Sequence, residues 1–440
     1  MNNKTISGFS KLSKRGKLKW IVENFFKDPE YTMKELQSYW HGNEDQQKVI
    51  DGFSENTISN FILPYGVAPN FIIDGKEYVV PMVIEESSVV AAASSAAKFW
   101  ASRGGFKTTI LGTTKIGQIH FLWRGDKNKL IAALPSIKAR MLKDSLDIVS
   151  NMVKRGGGVV DIILKDMTDK EPDYYKFTVS FETCDSMGAN FINSCLESFS
   201  KSFCEWCMEA DDFTDVEKDV TILMSILSNF TPDCLVKAEV SCPIEDMGII
   251  DDLPPEVFAE KFAKAIRIAH IDPYRATTHN KGIFNGIDAV VIATANDFRA
   301  IEAAGHTYAS LSGSYTSLSH CTIENGIFKF WLVVPLAVGT VGGLTALHPI
   351  AKFSLELLSY PSAKELMSII SSAGLAQNFA AIKSLVTTGI QKGHMKMHLQ
   401  NMLTQLKATD EQVLAATEYF KDKVVSFASL REFLQSTHEA

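Results

Sequence analysis

The sequence lacks an excess of positive charge: 44 basic residues against 51 acidic residues give a net charge of −7 over 440 residues. Nucleic-acid-binding proteins need a basic surface that displaces counterions from phosphates, so this balance argues against general nucleic-acid binding. One stretch departs from the average, because residues 5–22 contain no acid and cluster Lys11, Lys14, Arg15, Lys17 and Lys19. We interpret it as a solvated N-terminal helix, with a contact to a phosphate-rich ligand as the alternative.

Cysteine is sparse and follows no disulfide framework. The seven thiols are scattered, and the one CxxC pair, Cys204 and Cys207, lies in a helical pattern with no second pair. A structural zinc site needs four ligands, and His394 with His398 resembles only half of a helical metal site, so no metal is expected. Free thiols and the lack of a signal-peptide pattern are typical of the reducing cytoplasm.

Long hydrophobic runs are also rare. The run Phe330–Ala351 carries no Asp, Glu, Lys or Arg and is long enough to span a bilayer, but it contains two prolines and three glycines. It begins as a strand pattern, FWLVVPLAV, so it is expected to be a buried strand followed by a glycine-rich turn. The sequence therefore predicts a soluble protein with no membrane partner.

Apolar residues, by contrast, make up 46% of the sequence. A chain of 440 residues with this apolar fraction can form the hydrophobic cores of two or more domains. From 113 to 228 the periodicity predicts strand, helix, two strands, helix and strand, which is the ferredoxin-like β-α-β-β-α-β order. The ends of such a unit come together, so we interpret it as an inserted domain. Outside it the periodicity is mostly helical, and SSVVAAASSAAKFW (87–100) is typical of a helix packed closely on all sides. The fold class is α+β.

Polar residues break the local pattern in four places. Glu85 and Glu86 follow the strand VVPMVI, and capping of the next helix is the structural alternative for them. Lys281 lies in THNKGIFNGID among two asparagines and two glycines, where a surface turn or a packed core has little use for an ammonium. Asp297 follows AVVIATA, which predicts a strand, and His394 follows a glycine in QKGHMKMH.

A fifth stretch, DSMGAN (185–190), follows the third strand of the inserted unit and opens its second helix. A glycine and small residues at a helix N-terminus admit a phosphate or the flat face of a cofactor. Because the stretch is not GxGxxG, an ordinary strand-to-helix turn explains it equally well.

Taken in this order, these stretches resemble the soluble bacterial (class II) 3-hydroxy-3-methylglutaryl coenzyme A (HMG-CoA) reductases. The resemblance spans nearly the whole chain, and the 272–300 block is its most specific part. The matching stretches are ENTISNFILPYGVAPNF (55–71), PMVIEESSVVAAAS (81–94), DSMGAN, DPYRATTHNKGIFNGIDAVVIATANDFRA (272–300), VGGLTALHP (341–349), GLAQN (374–378) and GHMKMH.

The resemblance implies a domain plan. It assigns 1–112 and 229–390 to a mainly helical, large substrate-binding domain, and 113–228 to the inserted ferredoxin-like cofactor domain. Residues 391–440 become a C-terminal helical flap. Because the family builds its active site between subunits, it implies a homodimer or a higher oligomer of dimers.

The resemblance also implies the chemistry: a thioester is reduced by two hydrides, through a mevaldyl-CoA hemithioacetal and mevaldehyde, to mevalonate and CoA. Lys281 would stabilise the negative charge on the thioester oxygen and Glu86 would donate a proton to it. Asp297 would tune both residues through a shared hydrogen-bond network, and His394 would protonate the departing CoA thiolate.

Binding roles follow from the same match. The expected substrate-binding residues are Arg275, for the substrate carboxylate, with Ser88, Asn229 and Asn285. The expected cofactor-binding residues are Asp185, Met187, Gly188, Ala189 and Asn190.

The coenzyme is expected to be NADPH, with NADH as the alternative. An acid on the ribose 2′-hydroxyl selects NAD, whereas basic groups accept the NADP phosphate. Counting back from Gly156 places Val149 where NAD-using relatives carry the acid, with Asp147 two residues earlier and Lys154 and Arg155 close by.

Two other functions stay open at this stage. The same enzyme could run oxidatively in mevalonate catabolism, since a sequence does not set direction. The chain could also be a non-catalytic acyl-CoA- or nucleotide-binding protein, against which the presence of all four catalytic residue types argues.

Overall fold

The computed structural model describes residues 4–387, 389, 399, 401–420, 423 and 425–436, which form helices and three β-sheets, as the expected mixed class requires. The helices are α1 (Lys14–Phe25), α2 (Pro29–Ser38), α3 (Glu44–Asp51), α4 (Val89–Ala101), α5 (Lys127–Asp144), α6 (Leu146–Val153), α7 (Ala189–Glu209), α8 (Asp215–Lys218), α9 (Pro255–Ile271), α10 (Pro273–Ala293), α11 (Phe298–Ala309), α12 (Gly343–Leu347), α13 (Pro349–Leu357), α14 (Ala363–Val386), α15 (Asp410–Tyr419) and α16 (Phe427–Ser436). The strands are β1 (Tyr65–Ile73), β2 (Lys76–Val83), β3 (Lys107–Ile110), β4 (Lys115–Trp123), β5 (Gly158–Asp166), β6 (Tyr174–Glu182), β7 (Val220–Ser228), β8 (Leu235–Pro243), β9 (Ser319–Glu324) and β10 (Ile327–Pro335).

One sheet is built from the middle of the chain. Its order is β5-β6-β4-β7 with every pair antiparallel, α5 and α6 connect β4 to β5, and α7 and α8 connect β6 to β7. Residues alternate between buried and half-buried along β4 and β6, so one face of the sheet packs against the helices. The rings of Phe121, Phe177 and Phe203 form the centre of this core, with centroids 4.8 to 5.1 Å apart.

The rest of the chain up to α14 has its own core and more strand than its periodicity indicates. The hairpin β1-β2 and a second sheet, ordered β3-β8-β10-β9, pack against α4, α9, α10 and α14. Trp100, Phe262, Phe328 and Phe379 are buried together where these elements meet. Most of the described residues in regular structure outside 113–228 are helical, as expected, although six of the ten described strands also lie there.

The prediction that AVVIATA forms a strand before Asp297 is wrong. These residues are the last turns of α10, which begins at Pro273 behind an Asp272 side chain that accepts a hydrogen bond from the Tyr274 amide at 2.9 Å. Ala289, Val290 and Val291 are all buried. A short apolar run buried on every side has no periodicity that separates a strand from a helix, and here the preceding helix continues through it.

Helix α4 is less enclosed than its small side chains indicate. Ala93, Ala97 and Trp100 are buried on one face, while Ala91 and Lys98 are exposed on the other. The expected packing on all sides is therefore absent within this chain. Gly66 of β1 lies close to Val90, so the small residues do allow the hairpin to approach the helix.

The side chain of Val149 is buried and does not face solvent. This residue lies in α6 with its side chain in the phenylalanine-rich core, whereas Asp147, Lys154 and Arg155 are exposed. The expectation that Val149 marks a ribose-facing position is wrong, because counting along the sequence does not reveal which face of a helix is buried.

The C-terminal part contains a third, small apolar cluster formed by Leu403, Ala416, Leu430 and their neighbours. Its α15 begins with the expected capping box between Thr409 and Gln412. Of the described helices, α14 alone is apolar and long enough to cross a membrane, and 67% of its most apolar window is buried inside the protein. His394 and His398 lie outside the described residues.

Candidate active site

The residue pair at the centre of the site comes from two separate elements. Glu86 lies in the connection from β2 to α4, and Lys281 lies in the middle of α10. The Lys281 ammonium donates a hydrogen bond to Oε2 of Glu86, while 60% and 37% of the two side chains stay exposed. An ion pair this open to water contributes little to folding, about 0–1 kcal/mol. Stability therefore gives no sufficient reason for the pair, which favours a chemical role.

Asn285 adds a second donor to the same carboxylate. It follows Lys281 by one helical turn, and its amide nitrogen donates to Oε2 of Glu86 at 3.3 Å. Residues four apart lie on one face of a helix, so α10 presents both donors to Glu86. The arrangement places an ammonium and a carboxylate in direct contact, where a proton can pass between Glu86 and a bound carbonyl oxygen while Lys281 stabilises the charge.

Two other polar residues of THNKGIFNGID, His279 and Asn280, are buried and form structural hydrogen bonds. Asn280 is buried, donates to the Thr316 carbonyl at 2.9 Å and accepts from the Leu318 amide at 3.0 Å. His279 contacts the Ser319 hydroxyl at 2.7 Å, and burial lowers the pKa of its imidazole to about 3. Both side chains attach α10 to residues 316–319, the segment that leads into β9 and the first residue of that strand.

The two glycines of this stretch, Gly282 and Gly286, differ in the space that surrounds them. A Cβ on Gly286 would lie 2.5 Å from the Ala373 carbonyl oxygen of α14, so Gly286 permits the close crossing of α10 and α14. A Cβ on Gly282 would meet nothing within 4 Å. Gly282 follows Lys281 directly, and the space beside it is open.

Arg275 lies in the first turn of α10, four residues before His279, and its charge acts on the imidazole of that residue. Its side chain is half-buried, and burial lowers the pKa of the guanidinium. No Asp or Glu oxygen of the described residues lies within ion-pairing distance of it. A partly desolvated guanidinium without an anion is suited to binding a carboxylate from outside the chain. Ser88, the residue before α4, adopts the left-handed backbone region with φ of 73°.

Asp297 lies at the start of α11, and its hydrogen bonds differ from the expected network. Its carboxylate accepts from the amides of Arg299 and Ala300 at 3.1 and 3.3 Å and from the Arg299 guanidinium at 3.2 Å. Partial burial works to raise the pKa of Asp297, but these donors outweigh it and hold the pKa below its usual value. The network that joins Asp297 to Glu86 and Lys281 stays a prediction.

The DSMGAN turn connects β6 to α7 and packs against the larger part of the chain. The Asp185 carboxylate accepts from the Ala363 amide at the start of α14 at 2.8 Å, and its carbonyl accepts from the Thr340 amide at 2.8 Å. Gly188 has φ of 87°, and a Cβ there would lie 2.5 Å from the Thr183 side chain. Asp185 thus ties the turn to the start of α14 through one carboxylate oxygen, although the residue itself is exposed.

A small cavity beside this turn brings several predicted residues together. Met187, Ala189 and Asn229 line about 10 Å³ of space, together with Ala300 and Ala304 of α11. The cavity therefore lies where the DSMGAN turn, the end of β7 and α11, the helix capped by Asp297, meet. Asn190 is exposed and Asn285 lies elsewhere, on the Glu86 side.

Lys115 is a residue that the sequence analysis missed. It is buried at the start of β4, lines the same cavity, and donates to the Thr183 hydroxyl at 2.5 Å and to the Ser186 carbonyl at 3.1 Å. Burial lowers the pKa of its ammonium. The signal was available, because Lys115 occupies an inward position in the alternating strand KIGQIHFLW.

Other predicted positions lie outside this site. Cys204 and Cys207 are in α7, and no group of three or more His, Cys, Asp or Glu side chains in the described ranges could hold a metal ion. In the basic N-terminal stretch, Lys14 pairs with Asp51 at 2.6 Å and lies over the Trp40 ring. His394 falls among the residues that the structure does not describe.

Residues 16–399 match the family model described as hydroxymethylglutaryl-coenzyme A reductase. The 3-hydroxy-3-methylglutaryl-coenzyme A reductase of Archaeoglobus fulgidus is 36% identical over 408 residues, covering 93% of this chain and 88% of the relative. The probable reductase of Borreliella burgdorferi is 30% identical over 429 residues, covering 97% and 93%.

Solved structures agree with these relatives. A 3-hydroxy-3-methylglutaryl-coenzyme A reductase from Streptococcus pneumoniae superposes with a TM-score of 0.72 at 36% identity, covering 98% of this chain and all of that one. A class II reductase from the same organism, bound to NADPH in open conformations, gives a TM-score of 0.71 at 38% identity over 87% of this chain.

Proposed function

Since this chain belongs to the hydroxymethylglutaryl-coenzyme A reductase family, we propose a role for each residue of the site in the reduction of HMG-CoA to mevalonate. The enzyme is an oxidoreductase that uses NAD(P)H and supplies mevalonate to isoprenoid synthesis, as its family does. The observation that carries the residue assignments is the contact of Lys281 and Asn285 with one oxygen of Glu86.

Glu86 donates a proton to the thioester oxygen, and Lys281 stabilises the negative charge that develops there. The supporting geometry is a cation already positioned beside the acid, so no rearrangement is needed when charge appears. Asn285 holds the Glu86 carboxylate in line with Lys281. Arg275 binds the substrate carboxylate, with Ser88 and Asn229 as further hydrogen-bonding residues.

Asp297 tunes the pair from the start of α11, and His394 protonates the CoA thiolate. Both roles rest on the family resemblance. For Asp297, the supporting observation is its place at the junction of α10 and α11. For His394, the support is the matching stretch GHMKMH alone.

The DSMGAN turn is the proposed site for NADPH. When bound there, the nicotinamide supplies the hydride. The turn fits a flat ligand group because Gly188 and Ala189 carry no bulk at the N-terminus of the long helix α7, and Met187 supplies an apolar surface. Asp185, whose carboxylate caps α14, positions the turn, and Asn190 is exposed beside it. No metal is part of the proposal.

We extend the proposal to the domain plan and assembly. Three separate apolar cores support a ferredoxin-like cofactor domain over 113–228, a substrate domain over 1–112 and 229–390, and a flap over 391–440. A homodimer is supported by the exposed apolar side chains Leu347, Phe353 and Tyr360 around α12 and α13. Seven free thiols support the cytoplasm as its compartment. Sedimentation that finds a fully active monomer would contradict the dimer.

The decisive experiment is an assay of the purified chain. Addition of HMG-CoA should cause loss of NADPH absorbance and the release of mevalonate and free CoA. Two molecules of NADPH should be consumed for each mevalonate formed. The matched control for Lys281→Ala is Lys264→Ala, an exposed lysine of the neighbouring α9 with no ion pair among the described residues. Binding of CoA thioesters without NADPH consumption would identify a non-catalytic binding protein instead.

A further inference from the structure

The turn between α10 and α11 is fixed at both ends by hydrogen bonds. The Ala295 amide donates to the Ile292 carbonyl at 2.9 Å. The Asn296 amide donates to the Val291 carbonyl, also at 2.9 Å, which completes the pair of bonds that ends many helices. Ala295 adopts the left-handed backbone region, with φ of 54°, that such an ending requires. Asp297 then caps α11, so Asn296 lies in a short turn whose backbone has little freedom to move.

Both polar atoms of the Asn296 side chain are hydrogen-bonded within the protein. Its nitrogen donates to the Gly339 carbonyl at 3.0 Å and to the Thr294 hydroxyl at 3.1 Å, and its oxygen accepts from the Gly339 amide at 2.8 Å. A side-chain amide offers a donor and an acceptor side by side, so Asn296 binds both main-chain groups of Gly339 as a neighbouring strand would. Two bonds to one residue fix its orientation as well as its distance.

Gly339 also contacts the DSMGAN turn directly. A Cβ on Gly339 would overlap the Met187 amide nitrogen and would lie 3.0 Å from the Asp185 carbonyl oxygen. The following residue, Thr340, donates from its amide to the same Asp185 carbonyl at 2.8 Å. Gly339 is buried and does not have a positive φ, so a close approach to the turn, rather than backbone conformation, requires a glycine there. Gly339 therefore links Asn296 to the turn.

Two side-chain hydrogen bonds also hold the same turn, but neither leads to α11. The Asp185 carboxylate accepts from the Ala363 amide at 2.8 Å, and the Lys115 ammonium donates to the Ser186 carbonyl at 3.1 Å. These contacts attach the turn to α14 and to β4. Loss of the Asn296 contact should therefore leave the fold intact and change where the turn lies relative to α11.

We propose that Asn296 is a positioning residue for the coenzyme: through Gly339 it holds the DSMGAN turn at a set distance from Asp297. Each step from the turn to Asp297 is a contact given above or a peptide bond, since Asn296 and Asp297 are adjacent in the chain. The inference rests on the proposed function, which places NADPH at the turn. Asn296 acts through Gly339 and is assigned no contact with substrate or coenzyme. Displacement of the turn should slow hydride transfer, because reacting atoms must be closely aligned.

Asn296→Ala tests this role in the full-length chain, with the fluorescence of NADPH on binding as the readout. We expect the Kd for NADPH to rise about tenfold, because two hydrogen bonds are lost and the Gly339 groups that made them stay buried. The kcat with HMG-CoA should fall by at least as much, whereas the Kd for CoA should stay within about twofold of wild type. Asn128→Ala, at an exposed position in the first turn of α5, is the matched control and should change none of these values.

Two further variants separate positioning from general damage. Asn296→Asp keeps an acceptor for the Gly339 amide but places an oxygen against the Gly339 carbonyl, so it should bind NADPH no better than Asn296→Ala. Gly339→Ala keeps Asn296 but pushes on the Met187 amide, so it should weaken NADPH binding by itself. Because both single changes disturb one contact, Asn296→Ala combined with Gly339→Ala should give less than the product of their separate effects.

Hydrogen exchange provides a readout that needs no coenzyme. Peptides that cover residues 185–190 should exchange faster in Asn296→Ala than in wild type, whereas peptides of α5 should not. Unchanged exchange at 185–190 overturns the inference, and so does NADPH binding in Asn296→Ala that is as tight as in wild type. If exchange is faster but NADPH and CoA binding weaken equally, Asn296 is structural and its positioning role is wrong.

Failure of the proposed function gives a different result. A wild type that neither binds NADPH nor reduces HMG-CoA would contradict the proposed function instead. Exchange at 185–190 then decides by itself whether Asn296 holds the turn: faster exchange in Asn296→Ala supports this role, and unchanged exchange overturns it.

Discussion

Glu86 and Lys281 are separated by 195 residues in the chain, yet the ammonium of one donates directly to the carboxylate of the other while both stay open to solvent. Neither side chain is needed to fill a core, and an exposed pair adds little stability. Their contact therefore predicts large effects of substitution on catalysis and small effects on folding.

Lys281→Ala should lower kcat for HMG-CoA by about 100-fold or more, which is the usual cost of removing a positioned charge from a developing oxyanion. The thermal midpoint should stay within about 2 °C of wild type, because the side chain is mostly exposed. Lys264→Ala should change neither quantity. A Lys281→Ala variant that retains more than about a tenth of wild-type turnover would contradict the assignment.

Replacements of Asn285 should follow a definite order. Asn285→Ala removes one donor to Glu86, whereas Asn285→Asp also puts a second carboxylate beside it. We expect kcat/KM to fall about 3- to 10-fold for alanine, and further for aspartate because the two acids repel. Steady-state kinetics at pH 7 decide the order. If aspartate were the milder change, contact with Glu86 would not be the reason that Asn285 is present.

The two glycines of α10 provide a matched pair for stability. Gly286→Ala should destabilise the fold by about 1–3 kcal/mol, because its methyl group would overlap the Ala373 carbonyl of α14. Gly282→Ala faces open space and should be neutral or stabilising by up to about 1 kcal/mol through helix propensity. Urea unfolding of both variants measures the difference. Equal destabilisation would show that the helix crossing at Gly286 is not the constraint.

His394→Gln should impair reduction of HMG-CoA but spare reduction of free mevaldehyde, which has no thiolate to protonate. The comparison of kcat for the two substrates isolates the leaving-group step from general damage to the flap. Equal losses on both substrates would make the assignment wrong. Deletion of residues 391–440 should resemble His394→Gln on HMG-CoA while leaving CoA binding intact.

We expect the coenzyme preference to depend on the exposed residues at the end of α6. We expect kcat/KM to be higher with NADPH than with NADH by about tenfold, or about 1.4 kcal/mol. Lys154→Ala with Arg155→Ala should remove most of that preference by lowering kcat/KM for NADPH alone, and Lys143→Ala at the end of α5 should not. Val149 is unsuitable for this test, because a carboxylate there would be buried in the core. A wild type that prefers NADH would indicate that Asp147, exposed on the same helix, binds the ribose.

Several local features were predictable from the sequence. The strand patterns of β4 and β6, and the capping box at Thr409 in the C-terminal part, are short-range features that neighbouring residues impose on one another. The prediction failed where an apolar run was buried on every side, as in AVVIATA, because burial then leaves no periodic signal. It also failed at Val149, where sequence distance says nothing about which face of α6 packs inward.

The sequence by itself singled out the residues that we propose for the chemistry: Glu86, Lys281 and Asp297 stand out because each breaks its local pattern. Only the tertiary structure decided which of them touch. Glu86 and Lys281 meet because β2 packs against α10, and Asn280, the neighbour of Lys281, donates instead to the Thr316 carbonyl. The low pKa of the Lys115 ammonium likewise depends on burial, which changes the cost of a charge but leaves no mark in the order of residues.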